Sequence, residues 1–126
     1  MVIIKILSSK LYKKDAEVNV YLVDDREIER INAKYRGRKY PTDVIAFDLS
    51  CRYRNRSIFL ADIIVSTDRA VSNASLYKTS PLYEMYMYIA HGLLHILGYK
   101  DHTENQRCIM YRKTIHILRS LDIKAS

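Results

Sequence analysis

The stretch PLYEMYMYIAHGLLHILG, residues 81 to 98, holds no helix breaker between its opening proline and Gly98 except Gly92. Such a run predicts a helix of four or more turns, with Pro81 suited to the first turn and Gly98 to a left-handed stop. Most of its side chains are apolar, so the remainder of a 126-residue chain has to be arranged around it. IFLADIIV, residues 58 to 65, reads as a buried strand interrupted by one acid, Asp62. VIIKIL at 2 to 7, the alternating EVNVYLV at 17 to 23 and VIAFDL at 44 to 49 are further strand candidates.

Helices fill the intervals. Asp24 or Asp25 can cap DREIERINAKYR, which sets Ile28, Ile31 and Tyr35 on one face, and Ser66 or Thr67 can cap a helix over TDRAVSNASL. A last helix is expected from about Glu104 to Leu121, with Ile109, Ile115 and Leu118 among its apolar positions. CRYRNR, residues 51 to 56, reads as a polar, basic connection. Without repeat, low-complexity stretch or linker, residues 1 to 126 suit one small α+β domain: about four strands in a mixed sheet, helices packed on it.

Composition narrows the function classes. With 48% hydrophobic residues the chain can bury a core, and no apolar run approaches the roughly 20 residues of a membrane span. The N-terminal MVIIKILSSKLYKK lacks the layout of a signal peptide, so a soluble cytoplasmic protein with no membrane partner is expected. Cys51 and Cys108 form no CxxC pair and read as reduced thiols. A net charge of +7 favours a polyanionic partner, RNA or the ribosome, over a neutral metabolite.

His91 and His95 are four residues apart, so on a helix both imidazoles leave one face, one turn above the other. That spacing is the bite of a metal chelate. Gly98 lets the chain turn back, so that a residue two to five positions later supplies a third ligand and leaves a coordination position open.

HGLLHILGY followed by DH resembles the signature of the YbeY-type endoribonucleases, or rRNA maturation factors, whose pattern H-G-x-L-H-x-x-G-Y-D-H sets three histidines on one zinc ion. VNVYLVDDREIERINAKYRGRKYPTDVIAFDL and LADIIVS are similar to further stretches of that family, in the same order. The resemblance implies a single YbeY-like metal-dependent endoribonuclease domain with one Zn2+. It further implies single-strand-specific cleavage in rRNA maturation, including the 16S 3′ end, and in ribosome quality control, with rRNA, the ribosome or ribosomal proteins as partners. It also implies a catalytic role for Arg36 beside His91 and His95, its guanidinium clamping the scissile phosphate.

The departures bear on the third ligand. Lys100 is inserted relative to the family, so Asp101 stands ten positions after His91 and His102 eleven. Both are competent zinc ligands; register leans to Asp101, while an imidazole is the more usual chemistry. Ala61 replaces a glycine, and residues 8 to 16 leave little room for the helix the family has there. Asp62 reads as structural, and the basic and aromatic residues Arg38, Lys39, Tyr40, Arg52, Arg54 and Arg56 suit phosphate contact and base stacking and solvated loops equally well, so they are left out of the site.

Gly92 occupies the place where H-E-x-x-H peptidases carry their general base, which disfavours peptide hydrolysis. The remaining alternative to a nuclease is a ribosome-assembly factor with a structural metal, kept open because no general base adjoins His91 in sequence.

Overall fold

A strand whose residues are apolar without alternation must be covered on both faces, and that requirement organises the protein. The structure, a computed structural model, describes residues 16–53 and 56–125, and the side chains of 17–50 and 59–125 among them. Its elements are β1 (Ala16–Val23), α1 (Asp25–Arg36), β2 (Val44–Asp48), β3 (Cys51–Tyr53), β4 (Arg56–Ser66), α2 (Thr67–Tyr77), α3 (Pro81–Ile96) and α4 (Glu104–Ser120). β4 lies between β1, which runs parallel to it, and antiparallel β2, so the sheet is mixed.

Phe59, Ala61, Ile63 and Val65 project from one face of β4 into a core shared with Ile89, Leu93 and Leu94 of α3 and Met110 of α4. Ile64 projects from the other face and packs with Ile28 of α1 and Ile45 of β2. Helices thus cover both sides, α1 on one and α3 with α2 and α4 on the other. Gly92 brings α3 down onto the sheet: a Cβ there would lie 3.3 Å from Ala46 Cβ and 3.4 Å from Ile63 Cδ1 and Val44 Cγ2.

Local chemistry sets the helix ends. Asp24 accepts from the Glu27 N–H, and Gly37 stops α1 in the left-handed region at φ 66°. Ser66 accepts from the Arg69 N–H at 3.1 Å and donates to Asp25 Oδ1 at 2.7 Å, which ties the starts of α1 and α2 together. Gly98, at φ 102°, turns the chain after α3.

Two expectations need correction and one cannot be followed. The stretch read as a polar connection contains β3, which pairs antiparallel with the start of β4, Cys51 opposite Ile58 and Tyr53 opposite Arg56. Backbone pairing needs no apolar side chains, and charged residues are common on strands at a sheet margin, so the polar composition hid the strand. On α4, Leu118 is buried as expected but Ile109 is 47% exposed; the buried row is Met110, Thr114, Ile117 and Leu118. Thr114 masked that stripe, because its hydroxyl satisfies itself by donating to Met110 O at 2.8 Å. The candidate strand at 2–7 lies outside the described residues.

Tyr88 of α3 is buried; its hydroxyl accepts from Asn73 Nδ2 at 2.6 Å and donates to Arg69 O at 3.3 Å. Burial pushes this phenol up to about 12. An unfolded tyrosine titrates near pH 10, so between about 10 and 12 only the unfolded state sheds the proton, and stability falls as pH rises through that window. Chemical denaturation at about pH 9 and 11 is expected to show the loss. Tyr88→Phe flattens it, at a cost of about 1 kcal/mol near neutrality.

Candidate metal centre

The i, i+4 spacing on α3 sets the two imidazoles of His91 and His95 edge to face, centroids 4.5 Å apart at 81°. Their Nε2 atoms lie 3.0 Å from one another. After the Gly98 turn the chain doubles back, Tyr99 N–H donating to Leu94 O at 3.0 Å, and this return delivers Asp101. Its Oδ2 lies 3.2 Å from His95 Nε2 and 3.8 Å from His91 Nε2.

A zinc ion with bonds of about 2.0 to 2.1 Å in tetrahedral geometry holds neighbouring ligand atoms about 3.3 Å apart. The three edges of the triangle, 3.0, 3.2 and 3.8 Å, bracket that spacing. Three nitrogen and oxygen donors on one face, open opposite, therefore suit zinc with a free position. Among the described residues this is the group of His, Cys, Asp and Glu side chains close enough together to hold a metal.

His102, the other candidate for the third ligand, is not part of the group. Its backbone is occupied instead: the His102 and Thr103 N–H groups both donate to Gln106 Oε1, at 3.0 and 3.1 Å. Arg107 Nη1 donates to Asp101 O at 3.2 Å and His102 O at 3.3 Å. The first turn of α4 thus grips the loop from both sides and sets where Asp101 stands. Arg107→Ala is expected to weaken zinc affinity about 10- to 100-fold, read by competition with a chromophoric chelator, while the melting temperature of the metal-free protein changes little.

Burial, and then the neighbouring His95, hold the His91 imidazole below its ordinary value, whereas Asp43 and Asp101 pull the other way. The ring is therefore neutral near pH 7, the form that ligates. Asp43 is a residue that sequence reasoning missed. It sits just before β2, its backbone oxygen accepting from Ser66 N–H at 2.9 Å, and it lines the cavity with His91. The signal was available in PTDV: an acid at the mouth of a strand that runs to the histidine helix.

That cavity has a volume of about 650 Å³ and is lined by the histidines and Asp101 together with Arg36, Arg38 and Tyr40. Arg36 lies over the Phe47 ring at 5.9 Å and donates through Nη2 to Ala46 O at 2.9 Å, which leaves other guanidinium N–H groups for a ligand. Arg38 and Tyr40, left open between a solvated loop and RNA contact, line the same cavity; Asn32 anchors their segment by donating to Tyr40 O at 2.9 Å. Asp62 accepts from Asn19 Nδ2 at 3.3 Å, across a β1–β4 pair, and does not line the cavity. The Cys108 thiol is free and exposed. Arg54 and the side chains of Cys51, Arg52 and Arg56 lie outside the described residues. Among the described residues no helix is long and apolar enough to cross a membrane.

Known proteins resemble the chain over most of its length. The model of a family described as Endoribonuclease YbeY matches residues 1–122. A Bacillus licheniformis protein named Endoribonuclease YbeY is 37% identical over 119 residues, covering 88% of this chain and 75% of its own. A protein of the same name from Elusimicrobium minutum is 38% identical over 110 residues, covering 86% of this chain and 77% of its own. The solution structure of TM1509 from Thermotoga maritima superposes with a TM-score of 0.60 at 25% identity, over 96% of this chain and 83% of that one. The HGLLH helix, the returning Asp101 and the strand that buries Asp62's neighbours all fall within the matched region, and the chain belongs to the Endoribonuclease YbeY family.

Proposed function

We propose that the protein is a zinc-dependent endoribonuclease that cuts single-stranded RNA in the cytoplasm. Its proposed work is rRNA maturation, including the 16S 3′ end, and ribosome quality control, with rRNA and the ribosome or its proteins as partners. The observation that carries this reading is a metal-competent donor triangle and a guanidinium lining one open cavity.

A zinc ion held by His91, His95 and Asp101 would supply Lewis acidity at a phosphoryl oxygen. Arg36 meets the developing negative charge on the phosphate with the N–H groups that Ala46 does not use. Arg38 neutralises a neighbouring phosphate, and Tyr40 offers a face to an unpaired base. Asp43 places an acid in the cavity, where it is available to accept a proton from the attacking water. That acid favours the nuclease over an assembly factor with a structural metal, which the lack of a general base beside His91 in sequence had kept in contention.

Peptide hydrolysis is disfavoured further, because the helix lies against the sheet at Gly92 and leaves no room for a glutamate there.

Untagged, zinc-loaded protein is expected to cut a labelled single-stranded RNA and to spare the matched duplex. His95→Ala and Arg36→Ala are each expected to lose about 100-fold or more. Cutting that persists in His95→Ala marks a contaminating ribonuclease and ends the proposal. Depletion of the protein in its host should leave 16S rRNA with an extended 3′ end.

A further inference from the structure

A second cavity opens beside the donor triangle, between α3 and α4. Its volume is about 280 Å³, and it shares His91, Asp101 and Asp43 with the first cavity, so whatever enters it adjoins the candidate metal centre. Met87, Met110, Tyr88 and Tyr111 give it apolar and aromatic walls. Among its lining residues Glu84 is only 7% exposed, Thr114 3% and Met110 2%. Buried carboxylates need partners, and Glu84 has one: Thr79 Oγ1 donates to Oε2 at 2.7 Å. No other described residue donates to the carboxylate, so its second oxygen retains its acceptor capacity.

These features select an occupant. Three acids, Asp43, Glu84 and Asp101, line the cavity against one cation, Arg107, whose Nη1 is engaged by Asp101 O and His102 O; the excess of acid disfavours a phosphate, so the backbone of a bound strand stays outside, toward Arg36. A neutral, flat group presenting N–H donors fits the walls and the free acceptor. We propose that this cavity is a base pocket that takes a guanine of the RNA strand next to the bond being cut, its N1–H and N2 amino group donating to Glu84. This inference rests on the ribonuclease reading above and adds a sequence preference to it. Uracil, with carbonyl oxygens on either side of a single N–H, would set acceptors against a carboxylate. Adenine and cytosine offer one amino group each beside a ring acceptor. Guanine alone sets two donors side by side, the geometry that a carboxylate accepts.

The test uses short uracil RNAs carrying a single guanine at each position in turn, with all-uracil RNA as reference. Binding is read by fluorescence anisotropy on metal-free protein, where nothing is cut, and cleavage separately on zinc-loaded protein. One guanine position is expected to tighten binding about tenfold, and zinc-loaded protein is expected to cut beside it. Glu84→Gln should bring the guanine-to-uracil ratio close to one. Met87→Trp, which fills the mouth from a partly buried position, should do the same, and carries the test if Glu84→Gln fails to fold by circular dichroism.

Equal affinity for all the RNAs overturns the pocket, and if cleavage then proceeds without preference the ribonuclease reading stands alone. A guanine preference in binding with no cleavage of any RNA supports the pocket and sinks the ribonuclease. Equal affinities together with displacement of every RNA by an arginine-rich peptide assign the cavity to a cationic side chain and also overturn the proposal.

Discussion

Asp101→Ala, purified untagged and dialysed beside the wild type, is expected to lose its zinc, whereas wild type and His102→Ala each keep about one ion per chain. The expectation follows from the triangle. Asp101 Oδ2 is 3.2 and 3.8 Å from the two imidazole nitrogens, while His102 is anchored through its backbone and is absent from the group. Removing a ligand leaves two donors, which do not compete with chelators in the medium, and cleavage should fall at least about 100-fold along with the metal. Elemental analysis decides between the residues. Zinc retained by Asp101→Ala and lost by His102→Ala would mean that the loop rearranges on binding the ion, and would overturn the ligand assignment.

Gly92→Glu is expected to destabilise the fold by about 3 kcal/mol or more, although it recreates the spacing of a peptidase helix. A Cβ alone meets Ala46, Ile63 and Val44 at 3.3 to 3.4 Å, so a longer side chain forces α3 off the sheet or leaves a carboxylate among apolar groups. Gly92→Ala is the informative companion. It gains about 1 kcal/mol of helix propensity and pays a small shift of its neighbours, so its net effect should be within about 1 kcal/mol of zero. Urea denaturation separates the two. A glutamate variant as stable as the wild type would show that the helix is free to lift and that the close approach is unimportant.

Much of this arrangement was legible in the chain because its signals are local. The caps, narrowed to Asp24 or Asp25 and to Ser66 or Thr67 and found at Asp24 and Ser66, the proline start and the Gly98 stop are read within four residues of the backbone groups they satisfy. His91 and His95 were legible for the same reason, since helical periodicity alone sets them together. Asp101 needed register over a turn, and only the return of the chain after Gly98 decided which of two adjacent residues faced the histidines. Asp43, Arg38 and Tyr40 required a long-range fact, the antiparallel seat of β2 beside β4, which carries the preceding loop to the histidine helix. β3 and the Thr114 stripe were hidden by polar side chains whose burial or pairing depends on partners elsewhere.

The grip of Gln106 and Arg107 on the loop at 101–103 ties two events that the sequence keeps apart. Thr103 and Gln106 form the capping box that begins α4, and the Gln106 side chain that closes that box also holds His102, next to the third donor, while Arg107 of the same turn holds Asp101 O. An ion at the triangle and order in the first turn of α4 are therefore thermodynamic partners: each raises the population of the other by the same factor. Amide exchange at residues 104–107 becomes a gauge of site loading, slow when the donor is held and faster when it is released.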